Sequence, residues 1–150
     1  MTGPSGRIAI LGAGKMGEAL LSGMLRAGRP AGDLLATARR RDRGHVLRER
    51  YGVEICTNAE AAAAATTLVI AVKPQDMSDL LDDLSGAVTT DNVVISMAAG
   101  ITTGFIERRL VDGVPVVRVM SNTPVLVDEA MSAVSAGAHA KEDHLSLIHI

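Results

Sequence analysis

The chain has 150 residues, 47% of them apolar, a formal net charge of −2, and only Tyr51 and Phe105 as aromatic residues. Such a chain makes one domain with a core of Ala, Val, Leu, Ile and Met. This excludes a base-stacking nucleic-acid binder, which needs aromatic platforms, and a charge-driven DNA or membrane binder. The lone Cys56 leaves no disulfide framework and no Cys-based metal site. No apolar run reaches the length of a membrane span and no signal-peptide segment is visible, so a soluble, cytoplasmic chain is expected.

In chain order, Arg7–Leu11 reads as a first strand. It feeds directly into Gly12-Ala13-Gly14-Lys15-Met16-Gly17, a G-x-G-x-x-G run with a helical pattern behind it. In a dinucleotide-binding loop, Gly12 permits the tight turn and Gly14 leaves room for a pyrophosphate. Gly17 lets the helix pack hard on the strand, and the first helical amides face the phosphates. The alternative is an ordinary glycine turn between strand and helix. Met16, Leu20, Met24 and Ala27 recur at helical spacing over 15–27, and Gly28 is placed to end the helix. Asp33–Ala38 reads as a second strand. Arg43–Tyr51 reads as a helix with Val46, Leu47 and Arg50 on one side, closed by Gly52. Val53–Cys56 gives a third strand, and Asn58 is expected to cap an alanine helix running to Ala65.

The second half repeats the pattern. Thr67–Val72 is an apolar run suited to a central strand buried on both faces, stopped by Lys73-Pro74. Gln75–Leu84 supplies a helix and Val93–Met97 a strand. Thr102 or Thr103 caps a helix to Leu110, and Val114–Met120 is the sixth strand. Two β-α-β-α-β units predict an α/β, doubly wound, Rossmann-type parallel sheet of order 3-2-1-4-5-6, with ligands at the carboxyl ends where the order reverses.

The loops at those ends carry the chemical signals. An NAD site wants an acid after strand two, but the sequence there is Ala36-Thr37-Ala38-Arg39-Arg40-Arg41. Asp33 falls at the wrong end of the strand and Asp42 after the turn. Arginines in place of the acid suit a 2′-phosphate, so NADP(H) is the expected cofactor and NAD(H) the second candidate. A solvated, charged helix start is the alternative. Lys73 is placed to face the cofactor or simply to sit at the surface. Ala98-Ala99-Gly100 lets a flat group approach the backbone, or serves tight helix entry. Ser121-Asn122-Thr123-Pro124 lies where nicotinamide or substrate would sit, or forms a turn. His45 and His139 stand isolated, and no Ser/His/Asp arrangement or metal spacing emerges. Hydride transfer needs none, since the cofactor carries the chemistry.

Four pieces together resemble pyrroline-5-carboxylate reductase, the last enzyme of proline biosynthesis. They are Ile10 to Ala19, Ala71-Val72-Lys73-Pro74-Gln75, Ser96 to Thr102, and Val117-Arg118-Val119-Met120-Ser121-Asn122-Thr123-Pro124. The resemblance runs from about residue 7 to 144, with Ser121 standing where bacterial members usually carry proline. It implies NAD(P)H-dependent reduction of the C=N bond of 1-pyrroline-5-carboxylate to L-proline. By position, it puts cofactor contacts on Leu11, Gly12, Ala13, Gly14, Lys15, Met16 and Gly17, and on the turn Ala38, Arg39 and Arg40. It adds Asn58, the segment Ala71, Val72, Lys73 and Pro74, and the loop Met97, Ala98 and Ala99, with Asn122 and Thr123 near the nicotinamide. The catalytic acid stays unassigned. The resemblance places the substrate-binding groups in an all-helical C-terminal domain that also builds a homo-oligomer, and the sequence stops before it.

Residues 1–144 are therefore expected to form the cofactor-binding domain. The last six, Leu145–Ile150, resemble translated read-through of a sequencing adapter and are expected to be non-biological. A deazaflavin-dependent NADP reductase and a non-catalytic NADP-binding regulatory module are the rival readings. The Val-Lys-Pro and Asn-Thr-Pro pieces speak against the first.

Overall fold

Strand β1 (Ile8–Leu11) is wholly buried, and its alternating side chains feed two separate cores. Ile8 and Ile10 face one helical layer, Ala9 and Leu11 the other, as a strand covered on both sides requires. A computed structural model describes residues 6–121 and 131–136 of the chain. Asn122, Thr123, Pro124 and the tail from Leu145 lie outside the described residues.

After β1 come α1 (Lys15–Arg26), β2 (Leu34–Ala36), α2 (Arg41–Tyr51), β3 (Glu54–Ile55), α3 (Asn58–Ala64) and β4 (Thr67–Ile70). Then follow α4 (Met77–Leu84), β5 (Val93–Ser96), α5 (Thr103–Arg109), β6 (Val116–Ser121) and β7 (Met131–Ala136). The sheet order is β3-β2-β1-β4-β5-β6-β7, with β1 to β6 parallel and β7 antiparallel to β6. The predicted order 3-2-1-4-5-6 is present. The seventh strand escaped the sequence reading because Met131-Ser-Ala-Val-Ser-Ala is rich in Ser and Ala and weak in β-propensity.

The chain leaves β1 toward β2 and β3, then crosses to β4 on the other side, so the order reverses between β1 and β4. Leu20, Leu21 and Met24 of α1 and Leu47 of α2 cover one face of the sheet. Ala61 and Ala62 of α3, Leu80, Leu81 and Leu84 of α4 and Ile106 of α5 cover the other. The alanines of α3 let that helix lie close to the sheet.

Several expected boundaries and faces shift. The strands end earlier than their apolar runs: after a last inter-strand bond from Ala71 N and from Met97 N, the chain turns into loops at the carboxyl edge. Asp33 belongs to a 3-10 turn, Ala31–Asp33, before β2, and Pro74–Asp76 forms another before α4. On α1, Met16 is 39% exposed and Ala27 is exposed, while Gly17 and Leu21 complete the buried face. On α2, Gly44 and Leu47 are buried, whereas Val46 and Arg50 face solvent. Thr57, not Asn58, caps α3: its hydroxyl accepts from Glu60 N at 3.1 Å and its amide donates to Glu60 Oε1 at 2.9 Å. This reciprocal pair satisfies two orphan amides and leaves the Asn58 side chain for other work. Thr102 caps α5 by accepting from Phe105 N at 3.1 Å.

Candidate functional site

The three glycines of the first loop occupy three physically different environments. Gly12 turns the chain out of β1 at φ +78°, and a Cβ there would run into the Val72 side chain. Both features bar an L side chain. Gly14 precedes α1, and a Cβ built on it meets nothing within 4 Å. Its lack of a side chain leaves open space beside the loop. At Gly17 a Cβ would lie 3.1 Å from Ile10 Cγ2 and 3.2 Å from Ala13 Cβ, so this glycine lets α1 press against β1. The amides of Lys15, Met16 and Gly17 open a twelve-residue helix and have no intrahelical acceptor. Open space, free amides and the positive end of the helix dipole form a cradle for an anion.

Thr37, at the end of β2, holds the loop in place. Its carbonyl accepts from Ala13 N at 2.7 Å, and its Oγ1 accepts from Gly12 N at 3.0 Å. The same hydroxyl donates to Asn58 Oδ1 at 2.6 Å, and Asn58 Nδ2 donates to Asp83 Oδ2 at 3.1 Å. A buried hydroxyl thus spends its donor on one neighbour and its acceptor on another. Ala71 N bonds to Leu11 O at 2.9 Å, and Met97 N to Ile70 O at 3.0 Å, which sets the next two loops beside the first. Leu11 to Gly17, Asn58, Ala71 to Pro74 and Met97 to Ala99 therefore share the carboxyl edge of the sheet. Lys15, Lys73 and Ala99 are exposed there, whereas Met97 and Ala98 are buried.

The arginines after β2 divide into two groups. Arg39 Nη1 reaches Asp76 Oδ1 at 3.0 Å and Arg40 Nη2 reaches Asp42 Oδ2 at 2.9 Å, with both arginine side chains nearly four-fifths exposed. Such surface pairs contribute about 0–1 kcal/mol each and yield readily to a stronger partner. No acid stands between Leu34 and Arg41. Arg43 instead turns inward, donating from Nε to Ala13 O and from Nη2 to Gly14 O, both at 3.1 Å. It also meets Glu18 Oε1 at 2.5 Å, while Glu18 Oε2 accepts from Arg50 Nη1 at 2.6 Å and from the Tyr51 hydroxyl at 2.5 Å. The Tyr51 hydrogen bond first, then Arg43 and Arg50, hold the Glu18 carboxyl down to about 2 from its ordinary 4.5, against the opposing effect of burial.

Thr37, Glu18, Tyr51, Asp76 and Asp83 went unassigned in the sequence because their partners are remote in the chain. The readable signal was a lone hydroxyl between the small residues Ala36 and Ala38.

Elsewhere, burial pushes the Cys56 thiol up to about 11, which keeps it protonated and poorly nucleophilic. No His/Cys/Asp/Glu group among the described residues is arranged to hold a metal. No helix among them is long and apolar enough to cross a membrane. A surface cavity of about 320 Å³ runs along α5 from Gly104 past Arg108 to Val111 and Gly113 before β6, and no residue of the glycine loop lines it.

A family model described as NADP oxidoreductase coenzyme F420-dependent matches residues 7–100. The chain is 42% identical over 137 residues to the pyrroline-5-carboxylate reductase of Mycobacterium tuberculosis, a match taking in 87% of this chain and 46% of the relative. The pyrroline-5-carboxylate reductase structure from Coxiella burnetii superposes with a TM-score of 0.87 at 29% identity, covering 97% of this chain and 56% of that one. The Plasmodium falciparum pyrroline carboxylate reductase, solved with NADP bound, gives 0.81 at 21% identity, covering 99% and 56%, and speaks for the fold alone. The chain thus spans about half the length of the curated relatives it matches.

Proposed function

Because the chain belongs to this family of NADP oxidoreductases and resembles the N-terminal half of pyrroline-5-carboxylate reductases, we propose that it is the cofactor-binding half of an enzyme reducing 1-pyrroline-5-carboxylate to L-proline. The observation that carries this reading is the similarity over 137 residues, which extends beyond the glycine loop common to many nucleotide-binding folds.

In this reading the pyrophosphate lies over Gly14 against the amides of Lys15, Met16 and Gly17. Arg39 and Arg40, beside Ala38, take the 2′-phosphate of NADP(H). Asn58 and the loops Ala71–Pro74 and Met97–Ala99 border the ribose and nicotinamide, with Asn122 and Thr123 near the nicotinamide. The cofactor, when bound, supplies the hydride; the chain's own residues bind it, orient it and hold its charges. The description of the family model also names coenzyme F420, a deazaflavin. The Val72-Lys73-Pro74 and Asn122-Thr123-Pro124 pieces favour the imine over a deazaflavin as the hydride acceptor.

NADPH oxidation followed with pyrroline-5-carboxylate tests this function. The 150-residue chain is expected to bind NADPH without turnover, because hydride donor and acceptor must be held about 3–3.5 Å apart and the imine-holding half is not supplied. The chain joined to the C-terminal half of the M. tuberculosis relative is expected to turn over. A joined protein that binds NADPH but ignores the imine overturns the substrate assignment. Turnover by the chain alone at the joined protein's rate overturns the division of labour.

A further inference from the structure

Arg43 belongs by sequence to the same cluster as Arg39 and Arg40, yet its guanidinium does different work. Those two side chains stand in solvent, whereas that of Arg43 is 30% exposed and meets backbone oxygens. Its Nε and Nη2 hold the carbonyls of Ala13 and Gly14, the residues that link β1 to α1. In a trans peptide the carbonyl and the next amide point in opposite directions. Gly14 O, which also accepts from Glu18 N at 2.8 Å, is fixed from the Arg43 side, so the Lys15 N–H is directed away from Arg43. Ala13 O and the Gly14 N–H are coupled in the same way, and that amide is further held by Gly12 O at 2.8 Å.

The guanidinium is itself fixed. Glu18, one turn into α1 and 18% exposed, grips Arg43 with one oxygen and receives Arg50 and Tyr51 with the other. Arg50 and Tyr51 lie at the far end of the helix whose first turn carries Arg43. The first turn of α1 is thereby clamped to both ends of α2. The Glu18 carboxylate, shared between Arg43 and Arg50, offsets part of their charge and holds the Arg43 guanidinium at the loop carbonyls.

We propose that Arg43 is a positioning residue: it locks the glycine loop with its amides toward the pyrophosphate and takes no part in holding the 2′-phosphate. This inference rests on the cofactor reading above. It separates the arginines by the part of the ligand each serves. Arg39 and Arg40 discriminate NADPH from NADH, while Arg43 supports both alike.

The test is a titration of the unsubstituted chain, Arg43→Ala and Arg43→Lys with NADPH, NADH and adenosine 2′-monophosphate, which lacks a pyrophosphate. Arg43→Ala is expected to weaken NADPH and NADH by the same factor, about tenfold, as for one lost charge-assisted hydrogen bond. The adenosine 2′-monophosphate affinity should stay unchanged. Arg43→Lys keeps a charge for Glu18 but cannot bridge two carbonyls with a planar fork, so it should follow Arg43→Ala. A loss confined to NADPH would make Arg43 a 2′-phosphate ligand and overturn the inference. So would unchanged dinucleotide affinity, or an equal loss of adenosine 2′-monophosphate, which marks general damage to the domain. If the unsubstituted chain binds neither dinucleotide, the cofactor reading itself falls and takes the inference with it.

Discussion

Gly14→Val is expected to abolish NADPH binding while leaving the fold intact. The backbone at Gly14 has φ −82° and ψ −147°, without the left-handed turn of Gly12, and a Cβ there touches nothing within 4 Å. The side chain meets no neighbour, so the cost to the domain is that of valine before a helix start, about 1 kcal/mol against glycine, together with a local adjustment of ψ, out of the roughly 5–15 kcal/mol that stabilises a domain. The ligand loses much, because two branched carbons fill the space its pyrophosphate needs. The expected weakening exceeds about a hundredfold, equivalent to about 2.7 kcal/mol. Circular dichroism and a thermal melt check the fold, and NADPH fluorescence checks the affinity. Native dichroism with unchanged affinity would show that the ligand lies elsewhere. Substitution at Gly12 cannot serve this purpose, since its positive φ and the crowding by Val72 would damage the fold first.

Replacing Arg39 and Arg40 together by alanine is expected to cut NADPH affinity by about ten- to a thousandfold and leave NADH nearly unchanged. Each guanidinium can give the 2′-phosphate charge-assisted hydrogen bonds of about 1.5–3 kcal/mol. Against that stand the existing pairs with Asp76 and Asp42, which are exposed and cost about 0–1 kcal/mol each to break. The phosphate wins that competition. NADH has no 2′-phosphate, so its affinity registers only the small change in local charge. Because the contacts are exposed, the NADPH preference should also shrink as salt rises. Equal losses for both cofactors would remove these arginines from the 2′-phosphate site.

The backbone chemistry of this chain was legible in its sequence, whereas contacts between remote side chains were not. Alternating apolar runs and helical patterns gave the parallel order from β3 to β6, because a buried parallel strand has to be apolar on both faces. Gly12 and Gly17 have the turn and the close packing their places in the motif demand, and Gly14 has the open space. Runs ending in Val72 and Met97 looked like longer strands because loop residues beside a core are apolar as well. Met16 and Val46 looked like core positions from spacing alone, yet only their neighbours Gly17 and Leu47 lie under the sheet-facing stripe.

Within the candidate site, the bond from Thr37 to Asn58 joins residues 21 apart, Arg39 to Asp76 joins residues 37 apart, and Arg43 to Ala13 joins residues 30 apart. No local pattern encodes such pairs, so a cluster of arginines read as one feature separates into two kinds of residue once folded. The expected contacts at Asn122 and Thr123 lie outside the described residues.

The most direct test of the account is an NMR titration of the ¹⁵N-labelled chain with NADPH, followed amide by amide. Saturable shifts are predicted at Gly12, Gly14, Lys15, Met16 and Gly17, at Thr37 to Arg40, and at Lys73. Arg108 and Gly113, which line the cavity where α5 leads into β6 at the opposite edge of the sheet, should stay still. NADPH that leaves the glycine-loop amides unmoved, or that shifts only the residues of that cavity, would contradict the claim that this chain is built to hold a nicotinamide dinucleotide.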